Sequence, residues 1–267
     1  MHNLCGIFIM FFSLITYTSR AEEITLDQLQ GDWLNKNYIE ILKATKSPRK
    51  SAGGIYNTFF SISKEDNSYK WLQIYNFHEG IKFQIIKLPP TSEPHTYQMV
   101  YEPIYSREPV ERETYINTLY IPGDKPFNEI AWILNPRHGS KEGQGTKFIR
   151  VEPNINEFVN RIVIAGHYTN EHGQSFVFKE TGEAVWPDKS FKYEVGLDSY
   201  WTNSKFDAFK VLGEKIENFY PMRYGFEWRD KKLLIYKISE VIADGIVVRE
   251  EKPLYILTPR NESEIMK

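Results

Sequence analysis

Cysteine is all but missing from this chain of 267 residues. The one copy, Cys5, sits inside an apolar run at the start, from Leu4 to Tyr17. Removal of that run on export leaves no disulfide, no thiolate nucleophile and no cysteine-ligated metal, so the exported chain must rely on its core. An excess of one charge is missing as well. The 33 Lys and Arg are set against 35 Asp and Glu, scattered rather than striped. Nucleic-acid binding depends on concentrated positive charge and is disfavoured. The apolar run is itself short: roughly 14 residues suit a signal-peptide core and fall below the ~20 of a spanning helix. Ser19-Arg20-Ala21 follows, with small residues at the first and third places, and predicts cleavage before Glu22. Residues 1–21 read as a leader, and the mature chain as periplasmic or extracellular without a membrane span. The alternative is an uncleaved anchor.

Catalytic signatures are missing too. No Gly-x-Ser-x-Gly elbow occurs, since Ser140 and Ser175 lack the flanking glycines. The run Gly139-Ser-Lys-Glu-Gly143-Gln-Gly145 lacks the Gly-Lys-Ser/Thr ending of a phosphate loop. His78-Glu79 reads either as a general base or metal pair on a turn, or as a charged turn tip. His167 and His172, with Glu171 between them, fall short of the three or four convergent ligands that zinc wants. The sequence therefore assigns no catalytic, cofactor or metal residue, and the expected protein is not an enzyme and needs no cofactor.

Aromatic residues are plentiful: 17 Tyr and 17 Phe, within an aromatic content of 15%. Such rings suit half-buried pleated surfaces and point to β structure before any ligand. One helix is expected from Lys36 to Lys46, with Asn35 as its N-cap and Tyr38, Ile39, Leu42 and Thr45 along one face. Ser47-Pro48 ends it, and Arg49 to Gly54 reads as a basic turn. Strands are expected at Ile55–Ser63, Tyr69–Phe77, Ile81–Leu88, Thr96–Ile104, Thr114–Ile121, Glu129–Leu134 and Thr146–Val151. Glu152 to Asn160 is polar and prolyl, with at most a helical turn, and separates a domain over 22–152 from one over 160–267. Beyond it, Phe191, Tyr193, Val195 and Leu197 alternate with polar residues, as do Met222, Tyr224, Phe226 and Trp228. Period two with one wet face is the mark of an antiparallel sheet packed on one side. Arg229-Asp230-Lys231 turns the chain into Lys232–Ile238, and Val247–Glu250 and Leu254–Thr258 follow.

A short phrase opens each half: Leu29-Gln-Gly31-Asp-Trp33-Leu-Asn35, and Ile164-Ala-Gly166-His-Tyr168-Thr-Asn170. Gly31-Asp32-Trp33 resembles the opening motif of the calycins, the superfamily of lipocalins and fatty-acid-binding proteins. Gly166-His167-Tyr168 is similar, with tyrosine for tryptophan. The resemblance implies two tandem lipocalin-like antiparallel β-barrels in a mainly β protein with one short N-terminal helix. It also implies that Trp33 and Tyr168 plug their barrels, with Arg260 placed to pack on Tyr168 and Arg150 a candidate for Trp33. The helix after Trp33 departs from the lipocalin pattern, which runs straight into its first strand. The second half is short, and resembles the compact lipocalin-like domains of bacterial exported proteins.

An eight-stranded interior is either filled by side chains or holds one small ligand, and so many rings favour filling. Phe176, Phe178, Phe191, Tyr193, Tyr224, Phe226 and Trp228 are the candidate ligand-lining set. The expected function is an exported, non-enzymatic protein binding a hydrophobic or amphipathic small molecule. The alternative is a cell-envelope structural or assembly factor acting through a protein partner. An envelope hydrolase built on His78 and Glu79 ranks last.

Overall fold

A computed structural model of the chain describes residues 24–53, 55, 58–74, 80–104, 114–122, 127–133, 145–197, 205–213, 222–242 and 246–260. The expected leader and the His78-Glu79 pair lie outside the described residues. Strands pair in the order in which the chain meets them. In the first half these are β1 (Gly31–Asn35), β2 (Phe59–Glu65), β3 (Ser68–Ile74) and β4 (Gly80–Lys87). They continue as β5 (Thr96–Pro103), β6 (Tyr115–Tyr120), β7 (Glu129–Ile133) and β8 (Thr146–Val151), and β8 returns to β1 to close the barrel.

The second half repeats the scheme with β9 (Gly166–Thr169), β10 (Ser175–Phe178), β11 (Glu183–Val185) and β12 (Ser190–Val195). After β13 (Asp207–Leu212), β14 (Met222–Arg229) and β15 (Lys232–Ile242), the last strand, β17 (Tyr255–Pro259), pairs with both β15 and β9. That closes a second ring of antiparallel strands, with β16 (Ile246–Arg249) joined to β15 beside it. The mainly β, two-barrel architecture is the one the sequence predicts. The strands β1, β9 and β10 lie where the sequence reading assigned no strand bounds, and two more went unread, β11 and β13. Strand β11 is only three residues long, and in β13 the buried run Asp207-Ala208-Phe209 hides the alternation.

Helix α1 (Lys36–Thr45) forms as its periodicity dictates, with the Asn35 side chain accepting from the Asn37 N–H and Lys46 left-handed at the C-cap. Two further helices correct the sequence reading. Helix α2 (Pro48–Ala52) replaces most of the expected basic turn: Pro48 suits a first helical position, and Ser47 accepts the Lys50 N–H. Helix α3 (Ile155–Val163) replaces most of the expected polar link. The Asn154 side chain caps it through the Glu157 N–H, and Ile155, Val159 and Val163 fall on one buried face at four-residue steps.

Both barrels open with the same device. The Trp33 indole N–H donates to the Leu29 carbonyl (3.0 Å), and the Tyr168 hydroxyl donates to the Ile164 carbonyl (2.8 Å), four residues back in each case. Gly31 and Gly166 precede these rings with φ of +128° and +154°. A Cβ on Gly166 would come within 3.3 Å of the Tyr168 ring, so glycine is required there for close approach as well as for backbone shape. Arg150, the register partner of Trp33 on β8, sets its guanidinium 4.8 Å from the Trp33 ring and donates to the Gln28 carbonyl. Arg260 follows β17 next to Tyr168, its backbone N–H donating to the His167 carbonyl (2.8 Å).

The barrels share a core across their junction. Leu34, Tyr38, Ile39 and Leu42 from the first half pack in one cluster with Val159 and Val163 of α3 and Phe226 and Leu257 of the second barrel. Polar bonds fix this contact: Tyr38 donates to the Leu197 carbonyl (2.8 Å), and the Ile155 N–H donates to Asp32 (3.0 Å). Asp207, 6% exposed, accepts from the Ser47 hydroxyl (2.6 Å) and the Arg49 N–H (2.8 Å).

Two stability predictions arise here. Trp33→Ala is expected to cost about 3–5 kcal/mol through the cavity it leaves. Tyr168→Phe is expected to cost about 1 kcal/mol through one lost hydrogen bond. Urea unfolding checks both, and equal losses would refute the distinction between plug volume and plug anchoring. The second prediction concerns pH. Burial raises the Asp207 carboxyl above its ordinary 3.8, and the bonds from Ser47 and Arg49 oppose the shift without cancelling it. The folded chain keeps this proton where the unfolded chain has released it. Its contribution to stability is whole below 3.8 and is lost as pH rises through the raised value. Asp207→Asn, which cannot ionise, should therefore gain on the wild type as pH rises over this range. Unfolding at a series of pH values measures the difference, which a null result would leave constant.

Candidate functional site

Alternate residues of a strand share a face, so Tyr224, Phe226 and Trp228 of β14 all point into the second barrel. Trp228 lies at the base. Its indole N–H donates to the Val163 carbonyl of α3 (2.8 Å), and the Lys46 ammonium stands 3.9 Å from its ring centre. Tyr224 lies four residues earlier, ~13 Å along the strand, which carries it to the opposite end. That end is the mouth.

Trp186 closes much of the mouth. It opens a turn between β11 and β12 in which its N–H donates to the Lys189 carbonyl (2.7 Å), with Pro187 and Asp188 between them. Its ring folds inward until the residue is only 3% exposed. Ring centres of Phe191, Tyr224 and Tyr255 surround it at 5.0, 5.0 and 5.2 Å, edge-on or tilted as ring quadrupoles prefer. The Lys189 side chain then returns across this set. Its ammonium lies 5.0, 5.6 and 5.3 Å from the ring centres of Trp186, Phe191 and Tyr224, and donates to the Tyr224 hydroxyl (2.8 Å). These distances are within the reach of a cation–π contact.

Two further polar groups lie around the mouth. Burial raises the Tyr255 hydroxyl above its ordinary range, and the nearby Asp188 carboxylate adds to the shift, so a negative charge accompanies the rings. The Trp186 indole N–H is buried and has no hydrogen-bond partner among the described residues. An orphan donor of this kind is unfavourable and unusual in a folded interior.

The seven ligand-lining candidates divide by depth. Phe176, Phe178, Tyr193 and Phe226 are between 0 and 2% exposed and fill the interior. Tyr193 also donates to the Lys179 carbonyl (2.8 Å). Trp228 is committed to the base, and Phe191 and Tyr224 alone reach the mouth. Sequence reasoning missed Trp186 and Tyr255. The turn pair Pro187-Asp188 directly after a tryptophan, and the alternation of Tyr255 with Leu257, were the available signals. The first barrel is filled in the same way. Its Trp71, Phe83 and Tyr101 rings sit 4.7 to 5.0 Å apart, none of them more than 8% exposed.

Among the described residues the other polar groups hold no comparable site. A cleft of about 560 Å³ lies against Gly31, Arg150, Glu152 and Arg161. Its arginines are engaged: Arg161 pairs with Glu180 (2.6 Å), and Arg150 covers Trp33. His167 is exposed on β9, and His172 lies 3.6 Å from the exposed Glu171. Among the described residues no three His, Cys, Asp or Glu side chains group to hold a metal ion. No family model, curated protein or solved structure matches this chain.

Depth sets the expected cost of losing each ring. Phe226→Ala should destabilise the protein by about 3–5 kcal/mol, as a fully buried ring does. Phe191→Ala, half-buried at the mouth, should cost only about 1 kcal/mol. Urea denaturation of the two variants checks this ordering, and a reversed order would show that the rings at the mouth belong to the core.

Proposed function

We propose that this is an exported, non-enzymatic binding protein that holds an amphipathic small molecule against the aromatic mouth of its second barrel. The single observation that carries this reading is the ring set Trp186, Phe191, Tyr224 and Tyr255 gathered at the barrel end away from α3. Because both interiors are packed with side chains, the ligand sits on the rings and does not enter a cavity. Lipocalin-like kinship belongs to the same reading. It is supported by the paired glycine-aromatic openings and by Arg150 over Trp33. Export rests on the apolar segment from Leu4 to Tyr17.

A second reading, an envelope assembly factor with a protein partner, draws on the outer wall of the first barrel. There Ile86 and Ile116, on either side of β5, are each 48% exposed. Titration of the mature chain with an apolar fluorescent probe separates the two. Saturable enhancement that falls several-fold in Tyr224→Ala, and is untouched by Ile116→Ser, is the expected result. A wild-type chain that never saturates would defeat the mouth reading, and a copurifying envelope protein lost in Ile116→Ser would favour the second.

A further inference from the structure

An amphipathic ligand can carry either charge or none, and the mouth of the second barrel discriminates among these. Its rings present their negative faces to whatever lies over Trp186, Phe191 and Tyr224. The Tyr224 hydroxyl serves as a hydrogen-bond acceptor, and the Asp188 carboxylate is close enough to act on Tyr255. Each of these features favours a cation and opposes an anion.

The site already holds a cation of a defined kind. The group over the three rings is a primary ammonium at the end of an unbranched four-carbon stem, supplied by Lys189 from the exposed turn that follows Trp186. A lysine whose only task was to shield rings from water would lay its stem on them and extend its ammonium outward into solvent. Here the ammonium itself is brought within 5.0–5.6 Å of three ring centres and donates to the Tyr224 hydroxyl.

We propose that Lys189 is a built-in stand-in for the ligand, and that the mouth binds small primary alkylammonium compounds, which displace the Lys189 side chain. This rests on the mouth reading above and names the ligand class for that site. The incoming ammonium takes the position over the rings and donates to Tyr224, while its alkyl chain lies against the neighbouring rings of the mouth. No covalent step is involved. Lys189 swings out on its exposed turn, so affinity in the wild type is reduced by the fraction of molecules in which the lysine occupies the rings.

The test uses hexylammonium chloride, with 1-hexanol as the neutral counterpart and hexanoate as the anionic one, titrated calorimetrically into the mature chain. Hexylammonium should bind at least about tenfold more tightly than either counterpart. Lys189→Gln, an exposed change that leaves the core intact, should tighten hexylammonium binding about tenfold, because a mouth nine-tenths self-occupied is released. Tyr224→Phe keeps the ring and removes the acceptor, and should erase most of the preference for the ammonium over the alcohol. Unchanged affinity in Lys189→Gln overturns the proposal, as does equal binding of hexylammonium and hexanol. Binding of hexanol without any gain for the ammonium removes the inference but leaves the mouth reading standing. Failure of all three compounds, with the fold intact by circular dichroism, removes both.

Discussion

An eight-stranded barrel has an interior just wide enough for its own side chains or for one small ligand, and aromatic rings occupy that space in both halves of this chain. Trp33, Trp71 and Phe148 fill the first barrel, and Phe176, Phe178, Phe209 and Phe226 fill the second, all at most 1% exposed. Much else depends on this filling. With one cysteine in the whole sequence, no disulfide within the chain can hold the strands closed, and the packed rings must do so. The filling also decides where a ligand can go. Among the described residues the rings occupy the interior of each barrel, and the less buried rings of the second lie at its end.

The two ends of the second barrel are unlike because of an insertion in the first. Helix α1 interrupts the passage from β1 to β2, and its buried face, Tyr38, Ile39 and Leu42, belongs to the cluster that also holds the second barrel's interior. Together with α3 it covers the base, where Trp228, Tyr168 and Lys46 meet. The helix between the first two strands thus has a structural role: it contributes its buried face to a core that the two barrels share. Asp207 is the polar cost of this arrangement, a carboxyl buried at the seam and held by donors from the segment that follows α1.

Most of the fold was legible in the sequence because period-two alternation is a strong local signal. Thr146–Val151 and the start of Met222–Arg229 were read to the residue, and Asn35 as the cap of α1 likewise. What escaped was set by contacts distant in the chain. Helix α3 reads as a polar linker until its apolar residues, four apart, find α1 and the second barrel to pack against. Strand β13 carries an aspartate that Ser47 and Arg49, some 160 residues earlier, make tolerable in a buried position. The candidate site was half legible. Phe191 and Tyr224 stood in the alternating set, but that pattern reports which face a ring takes and is silent on its depth along the barrel. Trp186 belongs to a turn, where no periodicity applies.

Depth along the barrel is what separates a ring packed on every side from a ring with one side open. Phe226 and Phe178 contribute dispersion and burial from every side, and an altered ring there is felt throughout the core. At the mouth the same chemistry is presented on one side only, and the open side is met by a charge. Trp186 joins the two regimes: it packs on Phe176 and Phe178 below, at 5.7 and 6.2 Å, and presents its ring to Lys189 above. Retaining an unpartnered donor in a buried position is unfavourable. The compensating gains on this structure are the packing of the indole against five neighbouring rings and the face it offers to the Lys189 ammonium.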